Sequence, residues 1–181
     1  MSSIKAALQS YETAQTAAAE EALILGRQLM DTMDLKTHVD QMQTEMNGQC
    51  DLKIRSLLEG LSEQLDGCDE LITERLASFP PDVLAAPIAE VPPGAYRRLF
   101  AGDDLSIGQR LESLLCGYAH YARSTSDAIA TVERLSGADS VRVLKQVASA
   151  VDKGLWFIEV YMEGLAIRMD SSRFPDWPRG R

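Results

Sequence analysis

The chain has 181 residues, is 45% hydrophobic and 25% charged, and carries a net charge of −9. That length suits one domain with a real core, and that composition excludes a disordered or fibrous chain. The negative charge works against bulk attraction to nucleic acid or to an anionic membrane. No apolar run reaches the roughly 18 residues of a membrane-spanning helix. The opening MSSIKAALQSYE has no apolar leader core, so a cytoplasmic location is expected. The cysteines are Cys50, Cys68 and Cys116, an odd number without CxxC or metal-site spacing, which fits a reduced interior and packing as small apolar groups.

Residues 4–46 read as helix, firmest from Ala19 to Met46 and looser before Ala22. Leu8, Tyr11, Leu23, Leu25, Leu29, Met30, Met33 and Leu35 supply its apolar positions. Asn47-Gly48 closes it, since both residues tolerate the left-handed conformation. Asp51 helps to start the next helix.

The stretch from Cys50 to Ser78 has two opposed faces. Ile54, Leu57, Leu58, Leu61, Leu65, Cys68, Ile72 and Leu76 recur at spacings of three and four and form an apolar stripe. Glu59, Glu63, Asp66, Glu70 and Glu74 form a second row on the other side. Like charges one turn apart repel by a few tenths of a kcal/mol per pair. Such a row is either a solvated face or a surface that attracts cations.

Phe79-Pro80-Pro81 stops this helix. Residues 79–104, with Pro80, Pro81, Pro87, Pro92 and Pro93, form a long crossover with a short helix expected at Gly94–Phe100. A third helix opens at Leu105 or Ser106 and ends at Ser136-Gly137, its stripe being Ile107, Leu111, Leu114, Leu115, Tyr118, Ala122, Thr125, Ile129 and Val132. The fourth runs from about Ala138 to Met169 on Val141, Leu144, Val147, Val151, Leu155, Ile158, Met162 and Leu165. The tail SSRFPDWPRGR has two prolines and reads as irregular. The expected organisation is a single four-helix domain over residues 1–170, with 1–18 as a helical N-terminal extension and 171–181 as the tail. Two helical hairpins joined by one long crossover define an all-α, ferritin-like bundle.

Several segments, taken in order, resemble the Dps group, the DNA-protection-during-starvation mini-ferritins. DKGLWFIE at Asp152–Glu159, followed by Tyr161 and Glu163, is similar to the family's last-helix segment. DELITERL at Asp69–Leu76 is similar to its second-helix segment, Asn47-Gly48 to its first turn, and Pro92-Pro93-Gly94-Ala95-Tyr96 to the small crossover helix. The resemblance spans about residues 19–169. It implies a dodecameric shell and an iron-oxidising site shared across a two-fold interface, built from two histidines and several carboxylates. Its second-helix acids fall on Glu59, Glu70 and Glu74 as metal-attracting groups.

The histidines do not carry over. Their positions fall on Gln43 and Arg55, and the family's neighbouring tryptophan becomes Thr44. His38 and His120 lie at neither ligand position. Iron redox sites favour imidazole with carboxylate, whereas Gln43 offers a neutral carbonyl and Arg55 a permanent cation, within a turn of Glu59. The resemblance therefore implies iron binding or storage and stress protection with weakened or lost ferroxidase activity. The alternative is a non-enzymatic helical shell or interaction protein that keeps the fold without a redox metal site.

Trp156 and Phe157 read as core or subunit packing. Glu133 and Asp139 flank the third turn, where the family places acidic pore residues, and a plain helix end is the simpler reading. DNA binding is not expected. Among the first 26 residues Lys5 is the one basic residue, against Glu12, Glu20 and Glu21. The tail offers Arg173, Arg179 and Arg181 against Asp176.

Overall fold

A computed structural model describes the backbone of residues 2–45, 52–84 and 106–171, and side chains within 11–45, 52–84 and 106–165. These residues form α1 (Ser2–Glu45), α2 (Leu52–Ala77), the short α3 (Pro81–Leu84), α4 (Ile107–Arg134) and α5 (Ala138–Ser171), and no strand is present among them. The expected turn at Asn47-Gly48, the start at Asp51, the short helix at Gly94–Phe100 and the irregular tail lie outside the described residues.

Each long helix buries one seam with alternating steps of three and four. On α2 the seam is Ile54, Leu58, Leu61, Leu65, Cys68 and Ile72; on α4 it is Leu111, Leu114, Tyr118, Tyr121, Thr125, Ala128 and Val132. On α5 Ser140, Leu144, Val147, Val151, Gly154 and Ile158 continue the rule, and on α1 Leu25, Gln28, Thr32, Leu35, Val39 and Met42 do. A strict three-four register puts side chains of one helix into holes of its neighbour at a shallow crossing angle, the packing of four-helix bundles. α1 packs on α2 and α4, and α5 packs on α4 and α2. Contacts of Glu45 with Arg110 and of Arg75 with Ser140 join the end of one helix to the start of another, so α1/α4 and α2/α5 are antiparallel neighbours.

The first helix departs from its apolar reading. Tyr11 and Met33 are exposed, and the register passes instead through buried Gln28 and Thr32. The Gln28 amide donates to Ser124 Oγ at 2.7 Å and accepts from Thr125 Oγ1 at 2.8 Å; Thr32 Oγ1 bonds the Tyr121 hydroxyl. These bonds satisfy groups that would otherwise be costly in a core.

Helix ends follow local chemistry. Ser106 caps α4: its Oγ accepts from Gln109 N at 3.3 Å, while Gln109 Oε1 accepts from Ser106 N at 2.9 Å, a reciprocal capping box. At the other end Ser136, with φ of 62°, takes the left-handed turn, and Gly137 N donates to Val132 O at 3.2 Å.

Candidate metal centre

Glu59, Glu70 and Glu74 are all exposed on α2, with Glu63 in the same row. Among the described residues none of these four carboxylates forms an ion pair, whereas several others do. Asp66, also of the row, is neutralised by Lys36 Nζ at 3.0 Å, which reaches Asp40 at 3.5 Å as well. Glu133 pairs with Lys145 at 2.9 Å and Asp139 with Arg142 at 3.1 Å, so both acids at the α4–α5 turn have cations of their own chain.

Spacing limits what one chain can hold. Glu70 and Glu74 are one turn apart, but eleven residues separate Glu59 from Glu70, about 16 Å along a helix axis. A single ion cannot touch Glu59 and the other two within one copy. Among the described residues no group of three or more His, Cys, Asp and Glu comes together to hold a metal. Gln43 is half-buried on α1 and Arg55 is exposed on the first turns of α2, where no ion pair to Glu59 forms.

The histidines sit elsewhere. His38 is buried on α1; burial, then the Arg110 charge, lowers its pKa to about 4. Neutral imidazole is thus its resident form at ordinary pH. His120 is exposed on α4 and lies within electrostatic reach of Asp31, whose carboxyl is raised above its usual range chiefly by burial. Cys68 is buried, and burial lifts its thiol to about 11. Cys116 is exposed, and Cys50 lies outside the described residues. Trp156 and Phe157 are outside this chain's core, 57% and 41% exposed.

One polar cluster was not anticipated. Glu21 of α1 accepts from Arg75 Nη2 at 2.9 Å and from the Ser140 hydroxyl; Arg75 Nε donates to Ser140 Oγ at 2.7 Å and Nη1 to Ser78 Oγ at 2.6 Å. Arg75 also lies over the Phe79 ring, 4.4 Å from its centroid. The cluster pins α1, α2 and α5 at one end of the bundle. The signal was available: Glu21 and Ser140 stand one step before Leu25 and Leu144 in the buried register.

An all-α bundle of two antiparallel pairs with one long crossover is the ferritin-like fold. No family model matches the chain, and no curated protein does. Among solved structures, a point mutant of Dps1 from Mycobacterium smegmatis matches with a TM-score of 0.65 at 19% identity, over 81% of this chain and 97% of that one. A likeness at that identity defines the fold. No helix among the described residues is long and apolar enough to cross a membrane.

Proposed function

We propose that this chain is the subunit of a Dps-like cage that takes up iron as cargo and protects against oxidative stress, with ferroxidase chemistry weakened or lost. The observation that supports this reading is the alignment of four exposed carboxylates, Glu59, Glu63, Glu70 and Glu74, along the face of α2 opposite its buried seam, in a bundle of ferritin-like fold. Asp66, Glu133 and Asp139 are matched by cations. Glu12, Glu112, Asp127, Asp152 and Glu159 are exposed acids that likewise form no ion pair among the described residues, so what sets the α2 acids apart is their alignment on one face. Hard cations accept all-oxygen donor sets, so the row fits cation attraction without redox ligands.

A shared site would bring Glu59 of one copy towards Glu70 and Glu74 of another, which removes the axial separation within one helix. Arg55 at the head of the row and Gln43 on α1 stand where the resemblance puts imidazoles. They favour binding and storage over oxidation, and they equally support the second reading, a non-enzymatic shell that keeps the fold alone. The assembly is a homo-oligomer, a dodecamer by resemblance, in the cytoplasm and without DNA as partner.

Light scattering tests the cage first. Twelve copies of the 19.9 kDa chain give about 240 kDa, and a monomer or dimer would remove the cage. Anomalous scattering from iron-soaked crystals tests the metal: occupancy at Glu59, Glu70 and Glu74 supports the first reading, and its absence from an intact cage leaves the second.

A further inference from the structure

α5 carries an exposed stripe on the side turned away from its buried seam. Lys153, Trp156, Val160 and Glu163 are all exposed, Val160 by 46%. At 100° per residue they share an arc of about 80°. Trp156 is in ring contact with Phe157, the centroids 5.1 Å apart, so two aromatic rings stand together in solvent beside an aliphatic group. Adjoining apolar groups of that size mark a surface that is covered in use. The ends of the stripe are charged. Lys153 and Glu163 form no ion pair among the described residues. Ten residues separate them, about 15 Å along the axis, too far to pair on one helix.

The order of these four residues points to what covers them. From Lys153 to Trp156, to Val160 and to Glu163 the steps are three, four and three residues. The spacing reads the same from either end, and its midpoint is Ile158, buried beneath the stripe. The apolar pair stands at the centre, and the two ends carry opposite charges. A two-fold interface requires that residue i of one copy meet residue j of the other, and j meet i. A stripe with symmetric spacing and opposite ends satisfies that requirement when a second copy is laid across it antiparallel. We propose that α5 pairs in this way with α5 of a second copy, about a two-fold axis over Ile158. Trp156 packs on the partner's Val160, and Lys153 pairs with the partner's Glu163. The central side chains supply the burial, and the charged ends set the direction, since a parallel arrangement would place lysine against lysine and glutamate against glutamate. None of the four residues belongs to the acidic row on α2, and the pairing requires neither a metal nor a cage.

Zero-length carbodiimide cross-linking of a mixture of isotope-labelled and unlabelled full-length protein tests the pairing. The expected product is an amide between Lys153 and Glu163 in peptide pairs with one labelled and one unlabelled half, a link that the distance along α5 forbids within one copy. In sedimentation equilibrium, Trp156→Glu is expected to weaken association roughly a hundredfold and Lys153→Glu roughly tenfold. Lys153→Glu combined with Glu163→Lys is expected to regain the parent's association, because the exchanged charges meet again across the axis. A general loss of folding would not be repaired by a second substitution. Absence of the mixed cross-link overturns the proposal. So does a Trp156→Glu protein that associates as the parent does, and so does a double exchange no better than Lys153→Glu alone. A particle of about 240 kDa without the Lys153–Glu163 link overturns this pairing and leaves the cage standing, whereas a monomer overturns both.

Discussion

Gly137 lies directly against the carboxyl group of Glu21: a Cβ at that glycine would stand 2.7 Å from Glu21 Cδ and from its Oε2. The carboxyl cannot swing away without leaving Arg75 and Ser140. Gly137 is therefore needed for close approach, whereas its neighbour Ser136 carries the left-handed backbone. Thermal unfolding should separate the two roles. Gly137→Ala should destabilise by about 2 kcal/mol through lost bonds in the clamp. Ser136→Gly should stabilise by about 0.5–1 kcal/mol, since the left-handed cost to a non-glycine residue slightly exceeds the entropy that glycine loses. Glu21→Ala, which strands the Arg75 guanidinium, should cost about 3 kcal/mol. Equal effects at 136 and 137 would contradict this division.

His38 makes stability depend on pH in a defined window. Its folded pKa is about 4, below the unfolded value of 6.5. Above pH 6.5 both states are neutral and the group contributes the full native stability. Between 6.5 and about 4 the unfolded chain takes up the proton first, so stability falls with falling pH and levels off below about 4. After discount for solvent screening the loss is on the order of 1–2 kcal/mol. Denaturant titrations of the parent and of His38→Leu at several pH values measure it. The parent should lose stability relative to His38→Leu as pH drops through this window, and parallel curves would refute the assignment.

The thiols should react in a fixed order. Cys116 is exposed, whereas Cys68 is in the core with its thiol raised to about 11, so at neutral pH it offers neither access nor thiolate. In a Cys50→Ser background, one thiol should be modified quickly by a disulfide reagent and the second only at the rate of unfolding. Mass spectrometry assigns which is which; early modification of Cys68 would mean that α2 is not packed as described.

Much of the fold was legible because α2, α4 and α5 carry their cores in apolar residues. Leu58, Leu65, Leu114, Leu144 and Val147 announce the register by themselves. α1 was harder, because its register passes through Glu21, Gln28 and Thr32, which look like surface residues until Arg75, Ser124 and Tyr121 are seen to satisfy them. Partners about 50 to 100 positions away in sequence leave no local pattern. The acidic row was legible from periodicity, and so was its opposition to the core. Which of its members is neutralised was not: Asp66 meets Lys36 of α1, while Glu59 and Glu63 meet no cation among the described residues, and only the packing of α1 on α2 decides that.

The acidic row also frames the last test, on iron. On the proposed reading, Gln43 supplies a neutral carbonyl and Arg55 a fixed positive charge at the two positions where the resemblance puts imidazoles. If the proposed cage binds iron, Arg55→His alone removes the opposing cation and should tighten iron(II) binding to it. Gln43→His together with Arg55→His should tighten it further and restore oxidation by peroxide, each step by roughly tenfold, the scale on which even outer-shell partners act on metal sites. Glu59→Gln introduced into the double variant should abolish the gain, since the imidazoles then lack their carboxylate. Iron(II) titration and peroxide-driven absorbance growth follow both effects, with particle mass held as control. If the double variant assembles but neither binds nor oxidises iron better than the parent, then Glu59, Glu70 and Glu74 do not form a shared metal centre, and the non-enzymatic shell stands.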